Sequence, residues 1–145
     1  MDILVAIDIG NTNITAGVFK NARLVAKTKI PSYTYSHYEG GLKSLFKKSG
    51  LCLSEEHDVI ISSVVPVVLG RLVMHLNKIA KCRITILGRD RTVPINNLYK
   101  VKSEVGQDRL VNAYAAKMLY GTPAVVIDFG TGYKMSNSDA ECMLG

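Results

Sequence analysis

Two segments of this chain end an apolar run on the same turn. Residues 3–12 read ILVAIDIGNT and residues 124–131 read AVVIDFGT. Each is a strand-like run closed by Asp-x-Gly and a threonine, so that Asp8 matches Asp128 at an offset of 120 residues. A chain that builds one strand and turn twice is expected to hold two related lobes with a ligand between them. A single Asp-x-Gly is usually an ordinary turn, but two copies after matched strands favour a shared purpose. Glycine directly after a strand lets backbone approach a phosphate closely, and neighbouring Asn and Thr groups add donors. An aspartate at the strand end repels phosphate but can hold a cation that bridges to it. Asp8, Gly10, Asn11 and Thr12 thus form one candidate phosphate cradle, with Asp128, Gly130 and Thr131 facing it from the other lobe. Neither GxxxxGK[ST] nor GxGxxG occurs, so the two common phosphate loops do not compete.

The run DILVAIDI over residues 2–9 predicts a buried strand, and GNTN a turn. ITAGVF and RLVAKTKI predict two more strands joined tightly at Lys20-Asn21-Ala22, a meander that Pro31 ends. Residues 35–48 predict a helix toward their end, weakened by Gly40 and Gly41. DVIISSVV predicts a strand stopped by Pro66. Val68, Leu69, Leu72, Val73, Leu76 and Ile79 then recur at helical spacing, and RITIL follows as a strand. Strand, helix and strand in that order are the βαβ signature of an α/β fold. Residues 88–104 are polar and irregular and predict a loop, whereas PAVVIDFGT predicts another buried strand.

With 145 residues the chain has room for one sizeable core, or one lobe and part of another. Hydrophobic residues at 48% and charged ones at 21% describe a globular protein without low-complexity tracts. Cys52, Cys82 and Cys142 are odd in number and far apart, which supports neither a disulfide framework nor a zinc site; they read as buried or inert thiols in a reducing cytoplasm. The amino terminus has no basic leader, and the longest apolar stretch is broken by Ser62, Ser63, Pro66, Gly70 and Arg71, so neither signal peptide nor membrane segment is predicted. The net charge of +6 is scattered, and Arg23, Lys27 and Lys29 read as a solvated strand face rather than a nucleic-acid surface. His37, His57 and His75 lack metal-ligand spacing and read as surface or satisfied residues, and Tyr33, Tyr35 and Tyr38 as packing against the sheet.

VGQDRLVNAYAAKMLYG, residues 105–121, has helical apolar spacing but places Asp108 and Arg109 beside Gly106 where the helix should begin. Backbone N–H groups at a helix start are unpaired and attract anions. Asp108 is therefore either a helix cap or a catalytic base held near a transferred group. Arg109 either pairs on the surface or grips an anionic substrate or the phosphoryl oxygens in flight. On the residues alone both readings stay open.

DIGNTN at 8–13, SSVVP at 62–66, GQDRLVNAYAA at 106–116 and DFGT at 128–131 together resemble the type III pantothenate kinases, of the actin-like ATPase and sugar kinase superfamily. The resemblance spans residues 1–131 with four motifs in order, which is far more specific than any one of them. It implies an α/β fold: an amino-terminal ribonuclease H-like lobe over residues 1–104 and the incomplete start of a second similar lobe over 105–145. It implies ATP-dependent phosphorylation of pantothenate to 4'-phosphopantothenate, the first step of coenzyme A synthesis, by a cytoplasmic homodimer using Mg2+ and a monovalent cation, K+ or NH4+. Neither nucleic acid nor membrane is an implied partner.

Carried over by position, Asp8, Ile9, Gly10, Asn11, Thr12, Asn13, Ile14 and Thr15 are similar to the first phosphate motif, with Asp8 as a contact to magnesium and phosphate. Gly106, Gln107, Asp108 and Arg109 resemble the pantothenate-binding segment, with Asp108 as proton acceptor and Tyr99 lining the same pocket. Asp128 resembles the monovalent-cation aspartate, and Gly130 and Thr131 the second nucleotide contact.

Two departures stand out. Val101 and Lys102 occupy the place of the family's Asn-Pro pair, loosening the expected pocket wall. After DFGT the text becomes GYKMSNSDAECMLG, polar and without strand alternation, where family members run on for about another hundred residues. A truncated second lobe with one or two unsupported strands, and poor or no turnover, is the resulting expectation. The alternatives are a non-catalytic nucleotide-binding or transcriptional accessory-factor-like protein, or an inactive fragment.

Overall fold

The computed structural model describes residues 2–129, 133–138 and 141–143. The chain forms two compact units, Met1–Asp90 and Arg91–Gly145. The first unit contains β1 (Ile3–Ile9), β2 (Asn13–Lys20), β3 (Arg23–Pro31), α1 (Tyr38–Ser49), β4 (Glu56–Ser63), α2 (Pro66–Ile79) and β5 (Lys81–Ile86). Its five-stranded sheet runs β3-β2-β1-β4-β5. The meander β1-β2-β3 is antiparallel, and β4 and β5 continue the sheet parallel to β1. This is the predicted mixture of hairpin and βαβ unit.

Alternation along the strands explains the core. Val5, Ile7 and Ile9 of β1 and Ile14, Ala16 and Val18 of β2 are buried, while Asp8 and Thr15, paired in register, are exposed on the opposite face. The buried face meets Leu42, Leu45 and Phe46 of α1 and Val68, Leu72 and Leu76 of α2, joined in one cluster. Each such side chain contributes about 1.5–3 kcal/mol on leaving water. Lys27 and Lys29 are exposed on β3, as a solvated strand face requires. The β2–β3 turn has positive φ at both Asn21 (47°) and Ala22 (62°), the twist that suits a two-residue hairpin. Pro66 begins α2 at a position where its missing N–H costs no helix bond.

The second unit contains β6 (Asn96–Asn97), α3 (Gln107–Tyr120), β7 (Ala124–Phe129), β8 (Tyr133–Ser138) and β9 (Glu141–Met143), with the four-stranded order β6-β9-β8-β7. Residues 88–104, expected as a loop with a lobe boundary at their end, include β6 and the apolar groups Ile95 and Tyr99, which pack on Val105 and Ala113. The polar tail also departs from expectation. Residues 133–138 pair antiparallel with β7, and β9 pairs with β8. Pairing uses backbone groups that every residue carries, so the absence of side-chain alternation hid it. Conversely β7, expected as a buried strand, leaves Val125 and Ile127 more than half exposed. No helix among the described residues is long and apolar enough to cross a membrane.

Candidate functional site

The first unit presents the segment Asp8–Thr15 as the end of β1, a three-residue turn and the start of β2. Asp8 sits one residue before the strand end, paired with Thr15 on β2 and Ser62 on β4. The turn is tight: the Gly10 N–H donates to the Asn13 carbonyl at 3.0 Å, and a Cβ at position 10 would stand 3.3 Å from that same oxygen. A side chain here would press on that oxygen by a few tenths of an ångström, so glycine eases the approach. Asn11 and Thr12 are exposed at the tip. Ile9 and Ile14 are wholly buried, so they support the turn from the core and are not open to a ligand.

Ser32 holds the turn from behind. Its hydroxyl donates to the Gly10 carbonyl at 2.7 Å and its N–H to the Thr12 carbonyl at 2.9 Å, while its own carbonyl accepts the Tyr38 hydroxyl. Burial, reinforced by neighbouring Tyr35, pushes the Tyr38 phenol up, so it remains the donor. The Tyr38 ring stands edge-on to Tyr35 and His75, each 5.6 Å away, and the Arg71 guanidinium lies 4.2 Å over Tyr35. Of the three tyrosines expected to pack on the sheet, Tyr38 is fully buried, Tyr35 partly, and Tyr33 is exposed. SSVVP carries β4 into α2: Ser63 Oγ accepts the Val65 N–H at 3.1 Å, and the Val64 N–H donates to Ile9 at 3.1 Å beside the same turn.

In the second unit Gly106 is the N-cap of α3 and offers no capping side chain. Gln107, Asp108 and Arg109 form the first turn, all half-buried. Asp108 Oδ1 accepts the Arg109 N–H at 2.9 Å, a donor shared with the Gly106 carbonyl at 3.1 Å, which holds the carboxylate at the start of the helix. Tyr99 packs in the cluster with Leu110 and Val105, and its N–H donates to Asn97 Oδ1 at 3.0 Å. Gln107 Oε1 is buried without a partner among the described residues. Asp128 lies exposed on β7, at the edge of a 610 Å3 groove shared with Asn112, Ala116 and Leu119 of α3. Gly130 and Thr131 lie outside the described residues. The predicted residues therefore gather into two sets, one per unit.

Two minor expectations need correction. Cys52 is exposed rather than buried, and the hydrogen bond with Ser54 (Sγ–Oγ 2.9 Å) holds its thiol below the usual range, whereas burial pushes Cys82 up. His57 is buried and bonded to the Cys52 carbonyl at 2.7 Å, but His75 Nδ1 is buried without a partner among the described residues, where a surface or satisfied imidazole was expected. Among those residues no three His, Cys, Asp or Glu side chains converge on a metal position. Ser32 escaped the sequence reading because a lone serine after a strand-ending proline has no distinguishing pattern.

The family profile of the type III pantothenate kinases matches residues 4–140. A type III pantothenate kinase of Halalkalibacterium halodurans is 37% identical over 132 residues, covering 89% of this chain and 52% of that protein. The chain thus spans about half the length of this curated relative. Among solved structures, ROK hexokinase from Thermus thermophilus superposes with a TM-score of 0.50 at 13% identity, over 99% of this chain and 49% of that one. Inorganic polyphosphate/ATP-glucomannokinase from Arthrobacter sp. strain KM does so with a TM-score of 0.51 at 12% identity, over 100% and 62%. At such identities the likeness concerns the fold alone, an α/β fold shared with these two sugar kinases.

Proposed function

Because the chain belongs to the type III pantothenate kinase family, we propose that it takes part in ATP-dependent phosphorylation of pantothenate, the entry reaction of coenzyme A synthesis. The observation that carries this reading is the Gly10–Thr12 turn, closed on itself and pinned by Ser32 at the end of a strand bearing an exposed Asp8. ATP phosphates take the donors of this turn and the Thr12 and Thr15 hydroxyls. Pantothenate takes the Gly106–Arg109 segment and Tyr99. Asp108 accepts the proton of the pantothenate hydroxyl as its oxygen bonds to the γ-phosphorus and the bond to ADP breaks; Arg109 draws charge from the phosphoryl oxygens. Positioning and electrostatics supply most of the rate in such transfers.

Mg2+ and K+ or NH4+ belong to the same reading, resting on the motif resemblance. An exposed carboxylate at a strand end, with hydroxyl and carbonyl oxygens beside it, suits such hard cations, which take few protein ligands when phosphates complete the shell. Asp8 would hold the magnesium and Asp128 the monovalent ion, and the ions would neutralise phosphate charge. A homodimer, a cytoplasmic site of action and Gly130 and Thr131 as nucleotide contacts complete the proposal.

The test is coupled ADP release with pantothenate, magnesium and potassium. Pantothenate-dependent release is expected, and Asp108→Asn is expected to lower kcat about a hundredfold or more. Undiminished turnover by that variant would remove Asp108 as the base. Nucleotide binding without turnover would favour the non-catalytic nucleotide-binding reading.

A further inference from the structure

We infer that Ser32, buttressed by Tyr38, is a positioning pair that aims the Asn11 N–H at the phosphates of a bound nucleotide. The inference rests on the reading of Asp8–Thr15 as a phosphate turn and adds the device that orients it. A trans peptide is planar, with its C=O and N–H pointing in opposite directions. Pinning the Gly10 carbonyl inward through the Ser32 hydroxyl at 2.7 Å therefore turns the Asn11 N–H outward at the exposed tip. Among the described residues no acceptor takes up that N–H. The Ser32 N–H fixes the other side of the tip through Thr12 at 2.9 Å, and the Gly10 N–H is consumed by Asn13 at 3.0 Å. The Asn11 N–H is thus a backbone donor that the turn leaves for a ligand, next to that of Thr12, for which no acceptor stands among the described residues either.

Ser32 cannot drift. It is fully buried, and its carbonyl accepts the hydroxyl of Tyr38, itself fully buried at the start of α1. Edge-on contacts with Tyr35 and His75 fix the plane of the Tyr38 ring. Preorganisation of this kind matters because a phosphate is held by donors already aimed at it, with no reorganisation on binding. A chain of buried hydroxyls thereby links the first helix to the direction of one backbone proton.

The test compares the unmodified chain with Ser32→Ala and Tyr38→Phe. The Asn11 amide is followed by proton–nitrogen NMR and affinities by calorimetry, with ATP and with adenosine as separate ligands. In the unmodified chain ATP, but not adenosine, is expected to shift the Asn11 amide. Ser32→Ala should weaken ATP about tenfold and Tyr38→Phe about threefold, with adenosine affinity unchanged in both. If both variants bind ATP as the unmodified chain does while Asn11 still responds, the positioning role is overturned and the phosphate-turn reading stands. Equal weakening of ATP and adenosine reduces the pair to general support and also overturns the inference. An Asn11 amide indifferent to ATP in the unmodified chain overturns the phosphate-turn reading and the inference together. Tyr38→Phe keeps the ring and its packing, so the comparison survives even if Ser32→Ala fails to fold.

Discussion

Asp58 and Arg83 stand opposite each other on β4 and β5, and the guanidinium reaches both carboxylate oxygens, at 2.5 and 2.7 Å. Hydrogen bonds from Arg83 hold the Asp58 carboxyl below its usual range. A carboxyl with a depressed folded value stabilises the fold above its unfolded value, about 3.9, and loses that contribution as pH falls through the lowered one. Asp58→Asn should therefore flatten the fall in melting temperature below about pH 4 while leaving its shape above pH 6 unchanged. Both side chains are well exposed, so the effect is small and screened by salt. At this scale the sequence was legible where a residue's place follows from a motif. The positions of Asp8 at the end of β1, Gly10 in the turn and Asp108 in the first turn of α3 were readable from the strand and helix spacing. Ser32 and Tyr38 were not legible as partners of the turn, because their contact with it depends on the closure of a meander rather than on any local pattern.

Among elements, α1 shows how two adjacent glycines differ. A Cβ on Gly41 would lie 2.6 Å from Ile30 Cδ1 on β3, whereas one on Gly40 meets nothing within 4 Å. Gly41 thus lets α1 settle close to β3. Gly41→Ala is expected to destabilise by about 1–3 kcal/mol through overpacking. Gly40→Ala should stabilise by about 0.5–1 kcal/mol through helix propensity. Chemical denaturation of the two variants checks the contrast, and a stabilising Gly41→Ala would refute the close approach. The pair lowered the strength of the helix reading in the sequence, yet the helix forms over Tyr38–Ser49 because Leu42, Leu45 and Phe46 bury one stripe. Strands β1 to β5 were readable for the same reason, each having a buried face or run. Strands β8 and β9 were not, since their pairing is a matter of backbone alone.

Across the whole molecule, the two units differ in what holds them. The first has a continuous core drawn from every strand of its sheet and from both helices. In the second, among the described residues, burial centres on Val105 and Ala113, while Leu119, Tyr120 and Val125 stay exposed. Stability should therefore be uneven. Hydrogen exchange is expected to show β1, β2 and β4 amides protected far longer than those of α3 and β7; equal protection would contradict it. The repeated strand-and-turn pattern falls on β1 and β7, each paired antiparallel with the strand that follows it, although the strand after β7 was not expected. It could not indicate burial, which depends on what packs against each strand.

A crystal structure with a non-hydrolysable ATP analogue measures the central claim most directly. The account predicts a phosphate oxygen about 3 Å from the Asn11 nitrogen, with the Gly10–Ser32 hydrogen bond intact behind it. A nucleotide whose phosphates lie elsewhere, leaving the Gly10–Thr12 turn untouched, would contradict it.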